Sequence, residues 1–251
     1  MKSLVVGNWK MNPATWREAK KLFEATRKAA DTASHVSVVV APPAIFFREL
    51  KAGYKGKKIA FAAQTGLAEA TGAHTGEISL AQYKDAGASY AILGHAERRG
   101  MGETDEEIGK KVAAALALKL VPILCVGENK RSADGAHFEV VRTQLRAGLM
   151  SVEPSQLARI VITYEPLWTI GAERAMNPRD MHEMAIFIRK TIVDLKGPQG
   201  MNIKILYGGS IDETNAADML KNGDVHGFLV GRASEDATKL AALLQALEQA
   251  A

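Results

Sequence analysis

From end to end, short runs of β-branched and other apolar residues alternate with segments whose apolar positions recur every three or four residues. The runs predict eight strands: Leu4 to Gly7, Val36 to Ala41, Ile59 to Ala63, Tyr90 to Leu93, Val121 to Val126, Ile160 to Tyr164, Ile203 to Tyr207 and Gly227 to Val230. The periodic segments predict helices over Trp16 to Ala30, Ala44 to Leu50, Leu80 to Asp85, Asp105 to Leu118, Phe138 to Leu149, Arg179 to Lys196, Ala216 to Asn222 and Asp236 to Ala250. Start signals support some of these, such as Thr104 before three acidic residues and Pro178 at a first helical position. A helix between successive strands returns the chain to the same end of the sheet, so the strands pair in parallel.

Eight such units form either an open doubly wound sheet or a closed barrel. No composition shift, Pro/Ser linker or long charge run divides the chain, and no GxGxxG follows the first strand. The expectation is one α/β domain over residues 1–251, a (β/α)8 barrel with a parallel, closed, eight-stranded sheet.

Composition narrows the partners. With 251 residues, 47% of them apolar and 24% charged, the chain can bury a large core. A net charge of +4 without a Lys/Arg run or interleaved aromatics gives no nucleic-acid face and suits a small anionic ligand. The lone Cys125 sits in an apolar run, no segment has the length of a membrane span, and the N-terminus has no signal-peptide pattern. A cytoplasmic protein with no membrane partner is expected.

In a barrel of this kind, chemistry collects where strands end and helices begin. After the sixth strand stands Glu165, followed by Pro166, which ends the strand, and by an apolar stretch with Trp168 and Gly171. A carboxylate leaving a hinged apolar loop is how a general base with a lid would be built, although alone it also reads as an ordinary strand end. After the first strand come Asn8 and Lys10, a donor–acceptor and a compact cation; after the fourth, His95 and Glu97. Tyr207-Gly208-Gly209-Ser210 and Gly231-Arg232 place glycines at the seventh and eighth mouths, where backbone N–H groups can approach a phosphate. There is no HExxH, no CxxC pair and no carboxylate cluster for a metal, and no Gly-x-Ser-x-Gly elbow. A base, a His, a Lys and a phosphate cradle at one mouth suggest proton transfer beside a carbonyl, without metal or cofactor.

Asn-Trp-Lys-Met-Asn at 8–12, Gly-His-x-Glu-Arg-Arg at 94–99, Tyr-Glu-Pro-x-Trp at 164–168 and Tyr-Gly-Gly-Ser at 207–210 resemble the triosephosphate isomerase family. Gly-Glu-Thr-Asp (102–105) and Cys-Val-Gly-Glu (125–128) fit as well, and the resemblance spans the chain in order. It implies a TIM barrel that interconverts dihydroxyacetone phosphate and D-glyceraldehyde 3-phosphate through an enediolate, in glycolysis and gluconeogenesis. It implies Glu165 as base, a neutral His95 as electrophile, Lys10 for the substrate's charge, Asn8 to orient it, and Glu97 as support. Gly171, Ser210, Gly231 and Arg232 would bind phosphate through backbone N–H groups. A lid would begin at Pro166, Leu167, Trp168, Thr169, Ile170 and Gly171, and the long loop Gln64 to Glu77 would enter a second subunit with Thr75, making a homodimer.

Several residues depart from the family's commoner pattern. Ala96 stands for a serine that can bond the base, Thr65 for an asparagine and His74 for an aromatic in the long loop. Glu173 and Arg174 lie at the lid's far hinge, and Arg232 replaces a glycine of the phosphate turn, so Glu173 and Arg232 are expected to offset one another. Isomerisation of another short ketose phosphate, such as a tetrulose phosphate, and a non-catalytic phosphate-binding barrel are the competing readings.

Overall fold

The computed structural model describes residues 2–169 and 175–250. Eight strands, β1 (Ser3–Asn8), β2 (Val36–Ala41), β3 (Ile59–Ala63), β4 (Tyr90–Leu93), β5 (Val121–Val126), β6 (Val161–Tyr164), β7 (Lys204–Tyr207) and β8 (Gly227–Val230), pair in chain order. All pairs are parallel, and β8 closes on β1 with Leu4 opposite Gly227. The expected (β/α)8 barrel is what forms. Around it lie α1 (Trp16–Thr32), α2 (Ala44–Gly53), α3 (Leu80–Asp85), α5 (Asp105–Ala117), α6 (Ala136–Gly148), α7 (Pro178–Lys196), α8 (Ala216–Asn222) and α9 (Ala237–Gln249).

Five strands and two helices have the expected ends; the other ends differ from the sequence expectation by at most three residues, with Ile160 and Ile203 falling just outside β6 and β7. Caps, more than the apolar period, set these ends. Thr15, Ser79 and Thr104 each close a capping box with Glu18, Gln82 and Glu107, and Asp236 receives the N–H groups of Thr238 and Lys239. One helix was not foreseen: α4 (Ala96–Gly100) follows β4 at once and, at five residues, is too short to show a period.

Side chains alternate across each strand, and this alternation builds the site. Leu4 and Val6, Val39 and Ala41, Ile123 and Cys125, Leu206 and Leu229 belong to one buried cluster that fills the barrel. Their strand neighbours, such as Val5, Val40, Leu124, Ile205 and Phe228, belong to a second cluster under the helices. With both faces buried, strands become near-continuous apolar runs, which is why they stand out in the sequence. Following the inward series to the last residue of β1 and one step past β6, β7 and β8 gives Asn8, Glu165, Gly208 and Gly231. All four line a cavity at that end of the barrel.

The loop from β3 to α3 is tied at its base by a Leu67–Ser79 bridge, and residues 69–77, Thr75 among them, are all exposed. At the opposite end of the barrel, Glu248 of α9 accepts bonds from the Ser34 hydroxyl, the Ser34 and His35 amides (3.0 and 2.8 Å), and His35 Nδ1 (2.8 Å). These bonds, the Ser34 hydroxyl first, pull the Glu248 carboxyl from 4.5 down to about 2. A folded-state value below the unfolded one means that the stabilisation is complete above pH about 4.5 and is lost as pH falls towards 2. Glu248→Gln is therefore expected to melt slightly below the parent at pH 7, with the gap closing between pH about 4.5 and 2 in thermal scans.

Candidate active site

The cavity at the C-terminal ends of the strands holds about 380 Å³ and gathers Asn8, Lys10, His95, Glu165, Ser210, Gly231 and Arg232 from five strand ends. Seven of the residues expected to act thus meet in one place. Glu97 lies just behind, Thr75 lies on the exposed loop, and Ile170, Gly171, Glu173 and Arg174 fall outside the described residues.

Glu165 is 2% exposed and His95 6%. The β6 tip is fixed by bonds from the Glu165 amide to Val126 O and from the Gly208 amide to Tyr164 O, both 2.8 Å. Its carboxylate rests against the turn after β4, where Oε2 accepts the Ala96 amide at 2.9 Å and Oε1 faces His95 Nε2 at 3.3 Å. With alanine at position 96, the donor that residue offers the carboxylate is its backbone amide. His95 caps α4, and the Glu97 amide donates to its Nδ1 at 3.2 Å. Glu97 Oε2, at 3.8 Å, is too distant to accept from Nδ1. With Nδ1 an acceptor, a neutral ring carries its proton on Nε2, facing the carboxylate and the cavity. Beneath the base, burial and then the Glu165 charge push the Cys125 thiol well up, so it stays protonated.

Lys10 holds its backbone at φ 50°, a left-handed conformation uncommon for a residue with a side chain. Three bonds keep it there: its amide to Asn8 Oδ1 (3.0 Å), Gln64 Nε2 to its carbonyl (2.8 Å), and Nζ to Glu97 Oε1 (2.7 Å). Strain held by surrounding bonds at a cavity wall makes Lys10 a candidate functional position. Gln64 continues the inward series of β3, and that period is the signal that could have found it.

Other supports escaped sequence reasoning. Arg99 bonds the carbonyls of Gly94 (2.8 Å) and Cys125 (3.1 Å) and pairs with Asp105, tying the β4 and β5 tips to α5. Glu128, 1% exposed, accepts two bonds from Tyr164 OH (2.8 and 3.0 Å) and one from Trp168 Nε1 (3.0 Å). Burial first, then Glu128, raises the Tyr164 pKa, which keeps that phenol a donor. Pro166 and the 3₁₀ turn Leu167–Thr169 are thereby fixed to the β5 and β6 tips. Tyr207 OH reaches Thr169 Oγ1 at 3.4 Å and accepts the Met176 amide at 3.0 Å, joining both ends of segment 170–175. Asp212 and Lys239 also line the cavity beside Ser210 and Arg232.

Comparison with known proteins agrees with this geometry. The family model described as triosephosphate isomerase matches residues 3–247. The chain is similar to the triosephosphate isomerase of Endomicrobium trichonymphae, with 41% identity over 97% of this chain and 98% of the relative. It is 44% identical to that of Roseiflexus sp. (strain RS-1) over 92% of each chain. With that of Moorella thermoacetica it shares 40% over 96% of this chain and 97% of the relative.

Proposed function

Because the chain belongs to the triosephosphate isomerase family and interconverts dihydroxyacetone phosphate and D-glyceraldehyde 3-phosphate, a step of glycolysis, we propose that Glu165 moves the proton between carbons and His95 between oxygens. Glu165 takes a proton from C1 of the ketose, giving an enediolate whose charge develops on O2. His95 Nε2–H donates to O2, and the ring recovers a proton from the O1 hydroxyl. Glu165 then returns its proton to C2, leaving an aldehyde at C1 and a hydroxyl at C2, with nothing gained or lost. A Glu base beside a neutral His is a pairing for which this family is itself the standard illustration.

The observation that carries the assignment is the bond from the Glu97 amide to His95 Nδ1. A ring whose Nδ1 already accepts the Glu97 amide presents one proton, and presents it from Nε2 into the cavity. Substrate oxygen would take that proton over from Glu165 Oε1, freeing the carboxylate for carbon. Lys10 would stabilise the charge on O2, and Asn8 would hold Lys10's backbone and orient the substrate. The amides of Ser210, Gly231 and Arg232 would hold the phosphate, joined by Gly171 as the lid beginning at Pro166 closes to exclude water. Glu97 supports both Lys10 and His95.

The exposed Thr75 loop fits a homodimer in which each copy supports the other's Asn and Lys. A cytoplasmic setting fits the single buried, unpaired Cys125, and among the described residues no helix is long and apolar enough to cross a membrane. A coupled isomerase assay, with size measured across dilution, tests these readings. Thr75→Arg is expected to yield monomers with at least a tenfold lower rate, and unchanged size and rate would overturn the dimer role.

A further inference from the structure

Two charged residues on the cavity wall have no part in the chemistry above. Asp212, two residues past Ser210, lines the cavity with it on the side assigned to a phosphate dianion. Its oxygen Oδ1 accepts the Thr214 hydroxyl (2.6 Å) and amide (2.9 Å). Those bonds, the hydroxyl first and Lys239's charge among the lesser causes, hold the carboxyl below its usual range, so Asp212 is an anion at neutral pH. An anion lining a phosphate subsite repels its ligand and needs an offset. Lys239, in the first turn of α9, faces the same cavity. Lys10 is less suited to that task, because its Nζ is already bonded to Glu97.

Resting on the phosphate placement proposed above, we infer that Lys239 determines specificity at the phosphate subsite. Its ammonium offsets Asp212, so the turn Gly209 to Asp212 accepts a doubly charged phosphate that Asp212 alone would repel. Arg232 and Lys239 are both exposed and line the same cavity, but Arg232 lies in the phosphate turn itself, whereas Lys239 approaches from the first turn of α9. The sequence around Lys239 carries no motif, and the pairing of β7 with β8 brings it to Asp212. The arrangement makes affinity for phosphorylated ligands sensitive to ionic strength through one identifiable pair.

The test is a double-mutant cycle of Lys239→Met and Asp212→Asn. KM for D-glyceraldehyde 3-phosphate, inhibition by inorganic phosphate, and thermal protection by inorganic phosphate are read at low and high salt. Lys239→Met is expected to raise KM and the phosphate inhibition constant roughly five- to tenfold at low salt, with a much smaller change in kcat and a narrower gap at high salt. Asp212→Asn, which keeps the Thr214 acceptor, should lower KM, and the double variant should return to within about twofold of the parent. Effects of Lys239→Met below twofold, or additive effects in the double variant, would overturn the inference. If inorganic phosphate neither inhibits nor protects the parent, the phosphate placement fails and this inference with it; if phosphate acts on the parent but Lys239→Met does not alter it, this inference alone fails.

Discussion

Glu165→Gln is expected to lower kcat by about 10⁴-fold, the upper range for removal of a positioned general base, with KM within a few-fold of the parent. The amide keeps an oxygen to accept the Ala96 N–H and nearly the same volume, so the buried site should stay folded. Glu165→Asp tests distance instead of chemistry. The carboxylate retreats by one methylene from a position defined by bonds of 2.9 and 3.3 Å to Ala96 and His95, and about a 10²- to 10³-fold loss is expected. Single-turnover and steady-state rates in both directions read these values. A loss under tenfold for Glu165→Gln would remove Glu165 from the proton path.

The second large effect arises where no functional group exists. A Cβ on Gly127 would lie 1.9 Å from the Glu165 carbonyl oxygen and 2.6 Å from its carbonyl carbon. These are backbone atoms at the β6 tip, so no side chain can swing aside. Gln144 of α6 prevents Gly127 from yielding, because it accepts the Gly127 amide at 2.7 Å and donates to its carbonyl at 3.0 Å. Gly127→Ala should therefore destabilise by about 2–4 kcal/mol, seen as a melting point lower by roughly 5–12 °C. It should also lower kcat about 10²-fold by shifting the base. A lower melting point with unchanged kcat would show that the base is positioned independently of the β5 tip.

Glu165, His95 and Lys10 were legible because each is a chemically distinctive side chain at the end of a run whose period announces a strand. The barrel was legible for a related reason: burial on both faces leaves β-branched runs that no helix imitates. What stayed hidden belongs to other categories. The Ala96 amide that grips the base is backbone and has no letter in the sequence. Arg99 and Glu128 fell within recognisable motifs, but their partners, Cys125 for one and Tyr164 and Trp168 for the other, lie far along the chain. Lys239 and Asp212 become neighbours only when β8 pairs with β7 and α9 settles beside it. Five-residue α4 fell below the length at which periodicity exists.

Past the tips of β7 and β8, the inward series ends in Gly208 and Gly231, and the room for substrate exists because those side chains are absent. A Cβ at Gly208 would meet Glu165 Cγ at 2.8 Å, and one at Gly231 would meet Lys10 Cε at 3.3 Å. At these two positions a substitution can only shrink the chamber, since no residue is smaller than glycine. Variants that accept longer sugars are expected to gain their extra volume at larger lining residues, such as Ile211 and Leu229.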